Sequence, residues 1–99
     1  MYKLIALYKQ PEDTEAFDEA YFGTHIPLIN KVPGLIKTEL TRINHTMRGD
    51  GFYLVGVLYF EDEAAFKAGM TSPEMLAAGE NLDSFAKGNY VLMFGQDRD

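Results

Sequence analysis

His25 is the residue around which chemistry can be built. It is one of two histidines in the 99 residues. Its unperturbed imidazole titrates near neutrality, and its helical-wheel position points it inward, so it can take and return a proton away from bulk water. Tyr21 follows Asp18 at the third position, and His25 follows Tyr21 at the fourth. Helix neighbours meet at that spacing, so a relay from carboxylate through phenol to imidazole is one reading. Each residue also has a plainer one. The histidine would be a core residue donating to the Gly23 carbonyl, which Pro27 deprives of its usual donor. Asp18 would offset the dipole in the first helical turn, and Tyr21 would pack in the core with its hydroxyl at the rim.

Tyrosine offers apolar area with a polar tip, so Tyr8, Tyr53, Tyr59 and Tyr90 can line a cavity and hydrogen-bond a small ligand. Tyr8 and Tyr59 join Asp18 and Tyr21 as candidate substrate-binding residues. The alternative is that these tyrosines are strand-formers at an interface between two copies. His45, between Asn44 and Thr46, reads as a solvated turn residue. Glu61-Asp62-Glu63 reads as helix-start electrostatics, since it lacks the spaced partners of a metal site. With zero Cys there is no thiolate nucleophile and no sulfur-ligated metal, and two distant histidines make no zinc or haem motif. No metal and no cofactor is expected.

The elements that must position these residues can be read in chain order. Residues 2 to 9 form a strand ending at Gln10-Pro11, where proline supplies no N–H to a ladder. Glu12 to Glu15 provide caps and negative charge for a helix that runs to Val32. On its wheel Phe17, Ala20, Tyr21, Thr24 and Leu28 share one stripe, with Phe22, Ile26 and Ile29 adjoining. His25 falls between them. Gly23 and Pro27 share the arc facing water, with a bend expected at the proline. Val32-Pro33-Gly34 stops the helix.

A second strand over Leu35 to His45 has one wetter face, as at a sheet edge. Met47 to Gly51 makes the turn into Phe52–Phe60, a strand apolar on both parities. Two helical pieces follow, the first after the acidic run, the second opened by Ser72-Pro73 and closed by Lys87-Gly88. Asn89 to Phe94 is the last strand, and Gln96 to Asp99 a tail expected to fray.

Strand, helix, strand, strand, helix, strand is the plan of an α+β ferredoxin-like βαββαβ sandwich, one domain over residues 1–99, with helices on one face of an antiparallel sheet. Three strands are apolar on both parities while the helices cover one face only. The other face would expose an apolar patch that monomers rarely tolerate, which predicts a homodimer packed sheet to sheet. A net charge of −6 disfavours a nucleic-acid partner. No apolar run is long enough for a signal segment or a membrane span, so no membrane partner is expected and the protein is read as cytoplasmic.

The chain resembles the EthD-like (ethyl tert-butyl ether degradation) family of dimeric α+β barrel proteins. The resemblance rests on the opening strand that ends Tyr8-Lys9-Gln10-Pro11, then Phe17, Asp18 and Tyr21, then Thr24-His25-Ile26-Pro27-Leu28. It continues through Pro33-Gly34-Leu35, Tyr59-Phe60 and Ser72-Pro73-Glu74-Met75. It implies a dimeric ferredoxin-like subunit with no built-in metal or flavin and a pocket between helices and sheet near the histidine. The family is linked to oxidative catabolism of ethers, and some relatives are similar to dehydratases or decarboxylases of aromatic polyketides. Two functions are therefore carried forward. One is a cofactor-independent enzyme acting on a small apolar or aromatic molecule, oxidoreductase-associated or dehydratase/isomerase-like, with His25 as proton shuttle. The other is a non-catalytic protein that binds such a molecule or supports a partner oxidase.

Overall fold

The computed structural model describes residues 1–98. Four strands, β1 (Tyr2–Tyr8), β2 (Lys37–Arg42), β3 (Leu54–Phe60) and β4 (Tyr90–Gln96), form one sheet in the order β2-β3-β1-β4. All three neighbouring pairs are antiparallel. The helices are α1 (Thr14–Ala20), a π-helical turn (Tyr21–His25), α2 (Ile26–Ile29), α3 (Glu63–Met70) and α4 (Pro73–Ala86). This is the α+β ferredoxin-like arrangement expected from the order of elements, with the two hydrophobic strands at the centre of the sheet.

The helix starts follow their caps. Asp13, Asp62 and Ser72 accept from the backbone N–H groups of Ala16, Ala65 and Met75 at 3.0, 2.8 and 3.1 Å, satisfying donors that the first turn leaves without partners. The first helical segment ends at Ile29, short of the expected Val32, and Gly34 turns the chain toward β2 at φ +80°, where a side chain would be strained. Gly69 in α3 has another role. A Cβ there would lie 2.7 Å from the Phe60 ring and 3.1 Å from the Pro33 carbonyl oxygen, so the missing side chain lets α3 approach β3.

Several boundaries differ from the sequence reading. The second strand is shorter than Leu35–His45, and β3 begins at Leu54 rather than Phe52. Tyr53 still donates its backbone N–H to the Tyr8 carbonyl, so the loop remains tied to the sheet. The last strand runs past Phe94 to Gln96, and the tail beyond it is held. The Asp97 N–H donates to the Met1 carbonyl, and the Asp97 carboxylate pairs with Lys3 Nζ at 2.6 Å. The fraying expected from polar composition is thus overturned at Asp97 by its lysine partner, while Asp99 lies outside the described residues.

The two faces of the sheet differ sharply. Toward the helices, β3 buries Leu54, Gly56, Leu58 and Phe60. Two buried clusters form there. One contains Tyr8, Phe17, Tyr21, Leu54 and Leu82, and the other Ile29, Leu58, Phe60, Phe66 and Ala78. On the opposite face Ile5 pairs with Val57 and Met93, and Leu7 with Val55 and Val91. No helix covers these side chains, and Val91 and Met93 are exposed. Strand spacing and rise make this face about 15 Å by 20 Å, near the size of apolar patch that monomers seldom leave open.

Candidate active site

The helix that carries His25 is built differently from a continuous α-helix. The distortion expected at Pro27 lies upstream of it, as the π-helical turn Tyr21–His25, in which the Ile26 N–H donates to the Tyr21 carbonyl. An α-helix has 3.6 residues per turn, so a four-residue step overshoots by about 40°. The wider turn removes much of that drift and aligns Phe17, Tyr21, His25 and Ile29 as one buried stripe. This corrects the wheel. His25 lies on the buried stripe rather than between two stripes, whereas Thr24 and Phe22 face outward. Gly23 and Pro27 are exposed as the wheel indicated. Interrupting π turns of this kind recur at functional sites.

His25 is 4% exposed. Its ring lies 5.3 Å from that of Tyr21, centroid to centroid, and 6.3 Å from that of Phe85 on α4. Tyr21 belongs to one apolar cluster and Ile29 to the other, as do Leu82 and Ala78 on α4. The imidazole therefore sits at the seam between the two halves of the core. Burial holds its pKa below the usual histidine value, with the Asn81 side chain and the Ala78 backbone on α4 partly offsetting that effect. Burial thus favours the neutral ring, which is the form a general base requires.

Tyr8 and Tyr21 complete the polar part of this site. Their rings meet edge to face at 5.0 Å. Burial pushes both phenols up, Tyr21 to about 12, although the hydrogen bond from Tyr8 draws Tyr21 partly down. Both are protonated at neutral pH and serve as hydrogen-bonding groups. Space for them comes from the sheet, where Gly56 of β3 pairs with Ala6 of β1, two small residues in adjoining central strands. Tyr8, Tyr21 and His25 are thus brought together from β1 and the first helical segment.

The other two candidates lie elsewhere. Asp18 accepts from the Tyr53 hydroxyl at 2.8 Å and from Arg42 Nη2 at 3.0 Å, so its phenol partner is Tyr53, and it ties α1 to β2 and the start of β3. The relay through Tyr21 is replaced by that contact. The dipole reading also needs correction, because α1 begins at Thr14 with Asp13 as its cap and Asp18 follows the first turn. Tyr59 lies on the open sheet face, where its hydroxyl donates to Glu39 and its ring carries Lys37 Nζ at 4.6 Å and Lys3 Nζ at 5.3 Å. It shares no surface with His25 within one chain. Tyr90 donates to Asp83 at 2.5 Å.

Asn81 and Phe85 on α4 are the neighbours that sequence reasoning missed. They are 56 and 60 residues from His25 in the chain, and no local pattern links them. A surface cleft of about 410 Å³ is lined by Pro11, Ala16, Phe17, Phe85 and Asn89 among others. Phe17 and Phe85 pack edge to face at 5.7 Å, so Phe85 stands between this cleft and the imidazole. A larger groove of about 830 Å³ follows α4 and β4, lined by Met75, Leu76, Tyr90 and Leu92. His25 lines neither, so the pocket expected beside it is not formed by these clefts. Among the described residues no group of three or more His, Cys, Asp or Glu side chains is placed to hold a metal ion. No helix among them is long and apolar enough to cross a membrane.

The four-stranded antiparallel sheet, with its helices on one face, defines the class of α+β ferredoxin-like proteins. Within that class the chain belongs to the EthD domain family, whose model matches residues 9–88. It is 30% identical over 96 residues to an uncharacterized 11.0 kDa protein in the thcB-thcC intergenic region of Rhodococcus erythropolis, covering 95% of this chain and 92% of that one. The crystal structure of an ethyl tert-butyl ether degradation (EthD) family protein from Bacillus halodurans is similar at 43% identity and a TM-score of 0.93, over 99% of both chains. SnoaB, a cofactor-independent oxygenase from Streptomyces nogalater, shares the fold at 15% identity and a TM-score of 0.72, over 99% of this chain and 93% of its own. So does a dimeric ferredoxin-like protein from Thermobifida fusca, at 14% identity and a TM-score of 0.72, over 97% and 90% of the two chains.

Proposed function

We propose that this protein is a small cytoplasmic enzyme of oxidative catabolism that works as a homodimer without a bound cofactor. Its substrate is a small apolar or aromatic compound, and His25 moves the proton. The observation that carries the reading is a buried imidazole flanked by aromatic rings, with Tyr21 one turn away on the same stripe and burial favouring the neutral form. A neutral base in such a setting can remove a weakly acidic proton from an apolar molecule without first shedding a tight water shell. The 410 Å³ cleft is of the size that holds a small ligand, and its inner wall, Phe17 and Phe85, packs against Tyr21 and His25 respectively. The likeness to SnoaB supports oxygen-dependent chemistry of this kind only as a reading of the shared fold.

The test is oxygen uptake and product formation by the purified protein against a panel of alkyl ethers, phenols and polycyclic phenols, with His25→Gln beside the native chain. Turnover that falls at least a hundredfold in the variant, with its dimer and melting temperature retained, supports a catalytic histidine. Undiminished turnover removes His25 from the chemistry. Ligand binding that survives the substitution, with no activity across the panel, points instead to a non-catalytic carrier or accessory protein.

A further inference from the structure

Two polar atoms are stranded in the seam between the two halves of the core. His25 Nδ1 and Asn81 Oδ1 are both buried and neither has a hydrogen-bond partner. Leaving a buried polar atom unpaired costs about 1–3 kcal/mol, and here two occur on facing elements. The π-helical turn and α2 both pack on α4. Ala78, Asn81 and Phe85 are spaced three and four residues apart and so share one stripe of that helix. The His25 ring lies against Phe85 at the end of this stripe, which places Asn81 beside the imidazole.

A neutral imidazole carries one N–H and one lone pair, and the partner of one nitrogen decides which nitrogen holds the proton. The amide oxygen accepts only. The backbone carbonyl of Ala78, on the same stripe, also accepts only, and both α4 groups act on His25 as acceptors do, in the direction that favours its protonated form. No ionised side chain enters this set: the groups around the ring are Tyr21 from its own helix and Ala78, Asn81 and Phe85 from α4.

We infer that Asn81 is the positioning residue of His25: its Oδ1 accepts the Nδ1–H, fixes that tautomer, and leaves Nε2 with the lone pair that a general base needs. This deepens the catalytic reading of His25 and rests on it for its purpose, but the tautomer can be observed without any substrate. An apolar residue at position 81 would leave Nδ1 without that acceptor. With Asn81 absent, the tautomer is set by the ring's intrinsic preference and by whatever Ala78 retains.

The experiment is long-range proton–nitrogen NMR on the full-length protein, labelled in its histidine rings, at pH 7.5. The native protein is expected to show His25 predominantly as Nδ1–H. Asn81→Leu, which keeps similar bulk but removes the acceptor, should turn the majority form into Nε2–H. Asn81→Asp keeps an acceptor oxygen and should restore Nδ1–H. A native His25 found as Nε2–H overturns the assignment even if the leucine variant fails to fold, and so does an unchanged tautomer in Asn81→Leu. If turnover is established, Asn81→Leu should lower kcat at least tenfold with KM within twofold. A tautomer shift with no effect on turnover leaves the Asn81 assignment standing and refutes only the catalytic use of His25.

Discussion

The Tyr21 hydroxyl rests on the backbone of β3 at Gly56, where an added Cβ would lie 3.0 Å from the phenol oxygen and 3.4 Å from Leu40 Cδ2. Tyr21 is 1% exposed and has little room to retreat. Gly56→Ala is therefore expected to destabilise the protein by about 1–3 kcal/mol through overpacking. Removing the hydroxyl in the Gly56→Ala, Tyr21→Phe double variant should recover part of that loss. Thermal melts of the two single variants and the double one check the relationship. Equal destabilisation in Gly56→Ala and the double variant would sever Tyr21 from it.

Burial lowers the pKa of His25 in the folded protein below its unfolded value of 6.5. Below that value the unfolded chain binds more protons at this residue than the folded one, so stability rises with pH in this window. The contribution is fully present above the unfolded pKa and is lost as pH falls toward the folded pKa. His25→Phe keeps a ring but cannot titrate. Urea midpoints between pH 7.5 and 5 should show the native protein losing stability relative to His25→Phe, with a slope of at most about 1.4 kcal/mol per pH unit. A difference that stays flat over this range would mean that His25 is protonated as readily folded as unfolded.

Asp18 joins two donors that come from different strands and loops, Tyr53 and Arg42. Tyr53 is buried, whereas the Arg42 side chain is half exposed, so the phenol contact should carry more of the coupling. A double-mutant cycle of Asp18→Asn and Tyr53→Phe is expected to give about 1–2 kcal/mol, and the equivalent cycle with Arg42→Gln less than about 1 kcal/mol. Denaturant unfolding of the four species in each cycle measures this. A larger arginine coupling would reverse the ranking.

At Gly69 the helix α3 meets the ring of Phe60, which is 0% exposed. Gly69→Ala places a methyl 2.7 Å from that ring and 3.1 Å from the Pro33 carbonyl oxygen. The gain in helix propensity, about 1 kcal/mol, is set against a clash with a side chain and a backbone that are both confined. A net loss of about 1–3 kcal/mol is expected, read as a lower melting temperature. A more stable variant would show that α3 can move away freely.

The uncovered sheet face gives the last prediction. Val57 lies at its centre between Ile5 and Glu39. Val57→Glu should convert the proposed homodimer into a species near the 11.2 kDa chain mass by light scattering, because a second carboxylate directly opposite Glu39 is repelled and costly to bury at an interface. A native protein that already has that mass at micromolar concentration would refute the dimer.

Local chemistry made most of the fold readable. The acid and serine caps, the proline at the start of α4 and the apolar run of β3 each act within a few residues, so they remain visible in a linear string. The strand ends were less legible because they depend on pairing with another strand. Leu35 and Phe52 have strand-like chemistry yet lie outside β2 and β3, and Asp97 is held by Lys3, 94 residues away in sequence. The same limit applied to the site. The spacing of Asp18, Tyr21 and His25 suggested a relay, but Asp18 turns to Tyr53 because β2 and the loop before β3 present better-placed donors.

The sequence by itself determined the order of elements, the apolar central strands and the family pattern, and it singled out His25 as the candidate, since each follows from residue type and short spacing. Only the tertiary structure decided what His25 faces. The π-helical turn moves it onto the buried stripe, and the packing of that stripe on α4 brings in Asn81 and Phe85. Tyr59 is assigned to the other side of the sheet by strand parity and pairing. These outcomes depend on how elements distant in the chain pack together, a long-range balance of burial and hydrogen bonding that no local spacing encodes.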